Sequence, residues 1–425
     1  MGVSIDMIMM LLLALCSAVV AALLFRASPK LAFVVWTVVL FFVPVWIGAT
    51  AGFFWAAITA VTLLVLAANL RSIRLSIVDA FMAAFALLVV GQFALRMVTL
   101  SDAVIGILEW TLPYIWGRVV LARVSGSFVT RVLAAVATGA AVLALVEFAT
   151  GQNVFLLLPA MGSSFEVWGE LQPRGGFIRV EGAFGHSIAL GASLAMSAAF
   201  ILAARWSTVV KVLALAAVTA AVVVTFSRIG LVSLVLTVAL SVLTLPQVSR
   251  RTRVVVALVG AMTAAVVVPF VSDVFIEAGQ EASGSADYRT DLFTLLTQVQ
   301  LFGSAGDWEN LTVGGSYLGQ FASSIDNAFL VMALRLGFVP TALLLAALVV
   351  VAARCLVPRR ANPAGVAVAA QLPALFAVAL ITQYGMYLWF LVGLAVAWWE
   401  VERPQLPAAL ATDRGEGRQL PALSP

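Results

Sequence analysis

The sequence predicts an all-α fold, a polytopic transmembrane helical bundle of about 12 or 13 spans with two long loops on the non-cytoplasmic side. Three observations predict it. The 425-residue chain is 63% hydrophobic and only 10% charged, whereas soluble domains carry about 25% charged residues. Apolar runs with few or no charges recur, as in 7–25, 31–49, 209–226 and 328–353, and about 20 such residues carry a helix across a bilayer core of roughly 30 Å. The basic residues, nearly all Arg, gather in alternate loops. The strictly alternating segments that a membrane barrel requires are absent.

Taken in order, the expected spans are 7–25, 31–48, 51–68, 77–95, 104–122, 131–149, 187–204, 209–226, 229–245, 254–271, 327–352, 366–382 and 385–399. The first has no basic residue before it and many spans after it, so it reads as a transmembrane helix rather than a cleaved signal peptide. Glu109, Pro113 and Arg118 interrupt the fifth. The last two are short, and suit either a hairpin or one long broken element. Residues 1–400 read as a single transmembrane domain. Residues 401–425 read as a disordered tail containing Pro, Ala and Arg.

Orientation follows from the basic loops. Arg26/Lys30, Arg71/Arg74, Arg118/Arg123/Arg131, Arg205/Lys211, Arg250/Arg251/Arg253, Arg354/Arg359/Arg360 and Arg403/Arg414/Arg418 fall on one face of this arrangement. The positive-inside tendency makes that face cytoplasmic, in a plasma (inner) membrane, with the N-terminus outside and the C-terminus inside. Loops 150–186 and 272–326 then lie outside. Long loops that combine Gly, aromatic and charged residues are expected to be folded and functional.

Several classes are excluded. A net charge of +4 spread over short loops offers no patch for nucleic acid. Gly303-Ser-Ala-Gly306 is not a phosphate-binding loop. The two cysteines, Cys16 and Cys355, fall at different depths, which disfavours a disulfide. With His186 the single histidine, no metal-ligand spacing exists. No cofactor and no metal are expected.

Four outer segments carry candidate chemistry. In Arg179-Val-Glu-Gly-Ala-Phe-Gly-His186, Gly182 and Gly185 permit tight turns and close ligand approach, and the Arg179 fork suits phosphate. Pairing of Arg179 with Glu181, in a loop packed over helix ends, explains the same residues. His186 suits a phosphate contact or a helix cap. Arg228 sits at the turn Thr225-Phe-Ser-Arg-Ile-Gly230, where a charge at membrane depth marks a functional site unless it snorkels to headgroups. Arg289 begins Tyr288, Leu292, Leu295, Leu296, an amphipathic surface helix, where Asp287 or Asp291 also offers it a partner. Asp326-Asn327 precedes the eleventh span: Asp326 suits a helix cap or a general base for an acceptor hydroxyl. Arg335, two turns on, is expected to pair with an acid such as Glu147 or to line a cavity. Outward arginines with carboxylates among them suit an anionic, lipid-linked substrate whose departing diphosphate they would stabilise.

These segments resemble the O-antigen ligase and O-antigen polymerase superfamily of bacterial polysaccharide enzymes. Arg179-x-x-Gly-x-Phe-Gly-His is similar to that family's Arg-x-x-Gly-x-Phe block before a span. Thr225-Phe-Ser-Arg-Ile-Gly looks like its Ser-Arg-Gly turn. Tyr288-Arg289 through Leu301-Phe-Gly303 looks like its Arg…Pro-Leu-Gly stretch. Asp326-Asn327, nine residues, then Gly337-Phe-Val-Pro340 looks like the ligases' His-Asn, nine residues, Gly-x-x-Gly. The resemblance is best over 140–345, and its weight lies in the order and spacing of the blocks.

What the resemblance implies is a metal-independent membrane glycosyltransferase with a glycosyltransferase-C-like bundle. It would move a glycan from undecaprenyl diphosphate to an acceptor hydroxyl on a glycan or lipid, beside other polysaccharide-export proteins. Arg228 and Arg289 would contact the diphosphate. Arg179, with Glu181, His186, Tyr288 and Asn327, would bind substrate, and Asp326 would accept the proton. Asp326 stands where the ligases carry histidine, and Pro340 where they carry glycine. That departure argues against a lipid A-core ligase and for a polymerase, or a ligase with another acceptor. A transporter or flippase of lipid-linked glycans is the runner-up, ranked lower because transporters place charges at the bundle midplane and often show internal repeats, whereas here the charges cluster in two outer loops and no repeat is evident. A non-catalytic assembly protein is the third reading.

Overall fold

The computed structural model describes residues 5–158, 162–174, 176–277, 292–306, 312–313, 316–317, 325–357 and 360–401, which are mostly helical. The tail 402–425 and the segment 278–291 lie outside the described residues. Helices α1 (Ile5–Ala27) and α2 (Pro29–Phe42) are separated at Ser28, whose hydroxyl accepts the Leu31 N–H, with Pro29 opening the new helix. Pro44 then bars helical continuation, and α2 stops at Phe42. The short antiparallel hairpin β1 (Gly48–Ala51) and β2 (Phe53–Ala56) leads into α3 (Ala57–Asn69). The helices expected at 31–48 and 51–68 are therefore shorter, and this segment departs from an all-α chain.

Helix α4 (Ile77–Ala94) opens with a reciprocal Ser76–Asp79 capping box, and α5 (Leu100–Val104) with a Thr99–Asp102 one. Residues 105–111 continue as a π-helix into α6 (Leu112–Val120). The wider turn immediately precedes Pro113, which has no N–H to donate. The interruption expected in the fifth span is thus a change of pitch within continuous helix. Helix α7 (Gly126–Thr150) ends at Gly151, in the left-handed region. Loop 151–186 holds the short helix α8 (Ser163–Trp168) and the two-residue strands β3 (Pro173–Arg174) and β4 (Phe177–Ile178). Helices α9 (Ser187–Ala203), α10 (Thr208–Val224), α11 (Arg228–Thr244) and α12 (Arg250–Glu277) follow. The strands β5 (Thr312–Val313) and β6 (Ser316–Tyr317) precede the last group.

The eleventh expected span, 327–352, is two helices rather than one. Helix α13 (Ala328–Leu336) and α14 (Phe338–Leu356) are broken at Gly337, whose φ of 93° and ψ of 171° no helix accommodates. Helices α15 (Pro363–Gln371) and α16 (Thr382–Val401) pack on each other across a connection containing a 3-10 turn at 374–376, which is the hairpin alternative.

Among the described residues four helices, α4, α7, α14 and α16, are long and apolar enough to cross a membrane, and seven further apolar helices run 10–17 residues. At the centre lie α9, buried at every position but Ile188, and α16, buried from Gln383 to Ala397. Helix α16 packs most extensively on α6, where the backbones touch. A Cβ on Gly117 would overlap the Phe390 carbonyl oxygen, and one on Gly393 would overlap that of Tyr114. The peripheral helices keep large apolar side chains outward, such as Leu13, Leu87, Leu213 and Leu243, each at least 65% exposed.

The polar groups sort to two ends. At one end the buried Arg118 guanidinium meets Asp79 at 2.7 Å, Glu400 at 2.8 Å and the Arg74 carbonyl at 2.8 Å. Tyr114 donates to the same Asp79 at 2.6 Å. Arg123 donates to Asn69 and to the Arg26 carbonyl, and Arg354 lies over the Trp399 ring. At the other end Val45 donates to the Ala183 carbonyl, Trp46 to that of Leu158, and Gln383 to those of Val43 and Ala183. Loops 43–56 and 151–186 and the start of α16 are thereby stitched together.

Removing one partner of a buried pair strands the other charge. We expect Asp79→Ala to destabilise the protein by about 3 kcal/mol, read as a lower midpoint in thermal unfolding in detergent. The double variant Asp79→Leu/Arg118→Met should recover most of that loss. Equal midpoints for wild type and Asp79→Ala would remove this network from the account of stability.

Candidate functional site

The candidate site lies at the end formed by loop 151–186. Gly176 turns the β3–β4 hairpin, and the Arg179 N–H closes it on the Gln172 carbonyl at 3.1 Å. Past the hairpin the chain dives inward. Arg179 is 6% exposed and Glu181 is 1% exposed. The Arg179 Nε donates to the Thr225 carbonyl oxygen at 3.1 Å and Nη1 to Gln172 Oε1 at 3.5 Å, while the Val180 N–H reaches the Val224 carbonyl at 3.4 Å. A cation on the last carbonyls of α10 is favoured by the helix dipole. The first two sequence blocks, 179–186 and 225–230, are thus joined directly.

Glu147, in the last turn of α7, anchors the same segment. Its two carboxylate oxygens accept the N–H groups of Glu181 at 3.1 Å and Gly182 at 3.0 Å. The Asn153 amide donates to the Gly182 carbonyl at 3.1 Å. The Glu181 carboxyl accepts the Gln172 N–H at 3.4 Å. Burial pushes its pKa up to about 8; Arg179 works against that shift and Glu147 adds to it. His186 is the N-cap of α9, its Nδ1 accepting the Ile188 N–H at 3.2 Å. Burial, and then Arg179, lower its pKa to about 3, so the ring is neutral, as an accepting Nδ1 requires. Of the two roles open to His186, the structure displays the cap.

Arg228 is the exposed first residue of α11, just past a turn capped by Ser227, whose hydroxyl accepts the Gly230 N–H at 3.0 Å. Phe226, at φ 47°, holds its ring against Phe177 at 5.4 Å and Phe148 at 6.2 Å. A Cβ built on Gly230 would lie 3.3 Å from the Ser227 side chain and 3.5 Å from the Gly191 Cα, so α9 and α11 cross closely at this pair of glycines.

The third and fourth blocks also meet. Residues 300–305 run along the α13–α14 break. Phe338 N–H donates to the Gln300 carbonyl, Val339 to Leu301, Gly303 to Leu336 and Ala305 to Leu334. Asn327, not Asp326, caps α13, its Oδ1 accepting the Leu330 N–H at 3.0 Å. The capping role expected of Asp326 is therefore corrected; Asp326 is the half-buried residue beside the cap. Arg335 pairs with Asp102 at 3.3 Å, which corrects the expected pairing with Glu147. Glu147 is occupied by backbone on the far side of loop 151–186. Tyr288 and Arg289 lie outside the described residues. The described part of the segment expected to be an amphipathic helix is a 3-10 stretch, Phe293–Gln298, with Leu292 and Leu295 packed on Ile325, Leu330 and Leu334. The 374–376 turn packs on both α11 and α13, so the two pairs of blocks share a neighbour.

A pocket of about 300 Å³ opens between the end of α7 and residues 171–180. Glu147, Phe148, Asn153, Phe177 and Arg179 line it.

No family model, no curated protein and no solved structure matches this chain.

Sequence reasoning missed Glu147, Asn153 and Gln172 as the scaffold of the Arg179 segment. Nothing in their spacing marks them, because each acts on backbone far away in the chain. Asp102 was legible as a capping-box acid three residues after Thr99, though not as the partner of Arg335.

A carboxyl that is buried neutral loses stability as it ionises. With Glu181 pushed up to about 8, the folded state holds its proton above the unfolded pKa. Stability should then be full below the ordinary glutamate range and fall as pH rises from there through 8. Glu181→Gln should flatten that slope, measured as thermal midpoint against pH in detergent. An unchanged slope would mean the carboxyl is already ionised in the folded protein.

Proposed function

We propose that this chain is a polytopic protein of the plasma membrane that transfers a glycan from undecaprenyl diphosphate to an acceptor hydroxyl on the outer face, as a polysaccharide polymerase or ligase. The observation that carries this reading is that Arg179 binds the Thr225 carbonyl, uniting the blocks at 179–186 and 225–230. Residues 300–305 and 334–339 are likewise united. Segments whose order alone carried the resemblance are thereby in contact. The bilayer assignment is supported by the outward-facing leucines, since so much exposed apolar surface is incompatible with water. The orientation is supported by the gathering of Arg74, Arg118, Arg123 and Arg354 at the end opposite the candidate site.

In this reading Arg228 and Arg289 hold the diphosphate and stabilise the charge that grows as it leaves. The acceptor oxygen forms the new bond to the sugar carbon, and the bonding pair to the diphosphate oxygen departs with the lipid. Asp326 accepts the acceptor's proton. Arg179 acts from behind, fixing the turn on which Arg228 stands. Arginine forks suit this task better than point charges.

Purified protein in nanodiscs, supplied with undecaprenyl-diphosphate glycans and neither nucleotide nor metal, should yield longer lipid-linked chains or glycan on a new acceptor. Arg228→Ala and Arg289→Ala should each lower the transfer rate by about 10²–10³-fold. Normal rates in both variants would end the diphosphate-clamp assignment. Movement of the lipid across a vesicle bilayer without transfer would replace the enzyme by a flippase. Separately, Asp326→Asn should cut turnover by about 10²-fold or more while donor binding is kept. Unchanged turnover would place the base elsewhere.

A further inference from the structure

We propose that the pocket between the end of α7 and residues 171–180 is a subsite for an uncharged sugar ring, and that it excludes the diphosphate. This deepens the transferase reading and rests on it.

The charge inventory argues first. Arg179 contributes one positive charge to the pocket wall, and Glu147 supplies a carboxylate to the same wall. Burial raises the pKa of Glu147 as it does that of Glu181. Among the described residues the wall holds a single guanidinium, which is a poor match for the charge of a diphosphate. The Arg179 fork is, moreover, already directed onto the Thr225 carbonyl and Gln172. It positions the α10–α11 turn.

The donors and acceptors suit hydroxyl groups instead. Each Glu147 oxygen accepts one backbone N–H and retains a second lone-pair direction. The Asn153 amide stands beside it in the wall. Sugar hydroxyls donate to carboxylates and exchange hydrogen bonds with amides.

The remaining wall is aromatic. Phe177 is 39% exposed and Phe148 is 36% exposed, while Phe226 behind them is 1% exposed. The stacked Phe177–Phe226 pair, 5.4 Å apart at 22°, makes a stiff platform. The C–H face of a pyranose is weakly positive and lies well on the negative face of such a ring. The volume of about 300 Å³ is at the low end for small-molecule sites. It fits a ring and not a long polyprenyl chain. Through Thr225, Arg179 ties this pocket to the turn carrying Arg228. A sugar here would sit beside the position assigned to its diphosphate.

The test is binding, read without turnover. Full-length protein in nanodiscs would be titrated with glycan released by mild acid from the host's lipid-linked pool, and separately with undecaprenyl diphosphate bearing no sugar. Phe177→Leu keeps the apolar volume and removes the ring, whereas Phe177→Tyr keeps the ring. Because Phe177 is partly exposed, both variants should elute and melt as the wild type does. We expect Phe177→Leu to weaken glycan binding about tenfold, the order of one stacking contact, with Phe177→Tyr near wild type and undecaprenyl diphosphate unaffected by either. Wild-type protein that fails to bind the released glycan overturns the proposal, as does equal glycan affinity in Phe177→Leu. Weakened undecaprenyl diphosphate binding in Phe177→Leu would instead assign the pocket to the lipid. The two readings fail separately. Phe177-dependent glycan binding in a protein without transfer activity ends the transferase and leaves the subsite, while transfer with Phe177-independent binding does the reverse.

Discussion

Wherever a helix of this chain ends or breaks inside apolar surroundings, its backbone N–H and C=O groups need partners, because an orphaned one costs several kcal/mol. Each departure from plain helix is answered by a specific group. The break at Gly337 is met by the strand-like run 300–305, which supplies carbonyls to Phe338 and Val339 and N–H groups to Leu334 and Leu336. The descending segment at Glu181 and Gly182 is met by the Glu147 carboxylate. The end of α10 is met by Arg179. The end of α11 is met by Arg253, whose Nη2 donates to Leu245 at 2.9 Å. The candidate site is built from these repairs.

This constraint divides the charged residues by task. Arg118, Asp79 and Glu400 bind α4, α6 and α16 together at one end. Arg335 and Asp102 bind α13 to α5. Arg179 and Glu147 shape the loop at the other end. Arg228 opens α11 on its exposed side, and Asp326 adjoins the cap supplied by Asn327. The division explains why a chain with so few charges buries so many of them.

The glycines of the motif blocks divide in the same way. Gly230 permits the α9–α11 crossing, and Gly337 sits where a Cβ would press to 2.8 Å on the Leu301 carbonyl and Phe302. Part of the family-like pattern thus reflects how loops dock on broken helices.

Helical class was legible because long uncharged apolar runs suit helices that satisfy their own backbone and lack the alternation a barrel needs. The helix starts at Ser28 and Thr99 lie ahead of the spans expected from 31 and 104, because local caps rather than the apolar runs set them. The gathering of arginines at one end was legible too, since it follows from loop alternation. What tertiary structure alone decided was every partnership over long sequence distance: Arg335 with Asp102, Glu147 with the backbone of 181–182, Arg179 with Thr225, and residues 300–305 with the break at Gly337. Local pattern cannot rank two acids as partners for one arginine. Coulomb energy and desolvation depend on where the folded chain places them, and that placement is settled by which helices can approach at Gly117, Gly191, Gly230 and Gly393.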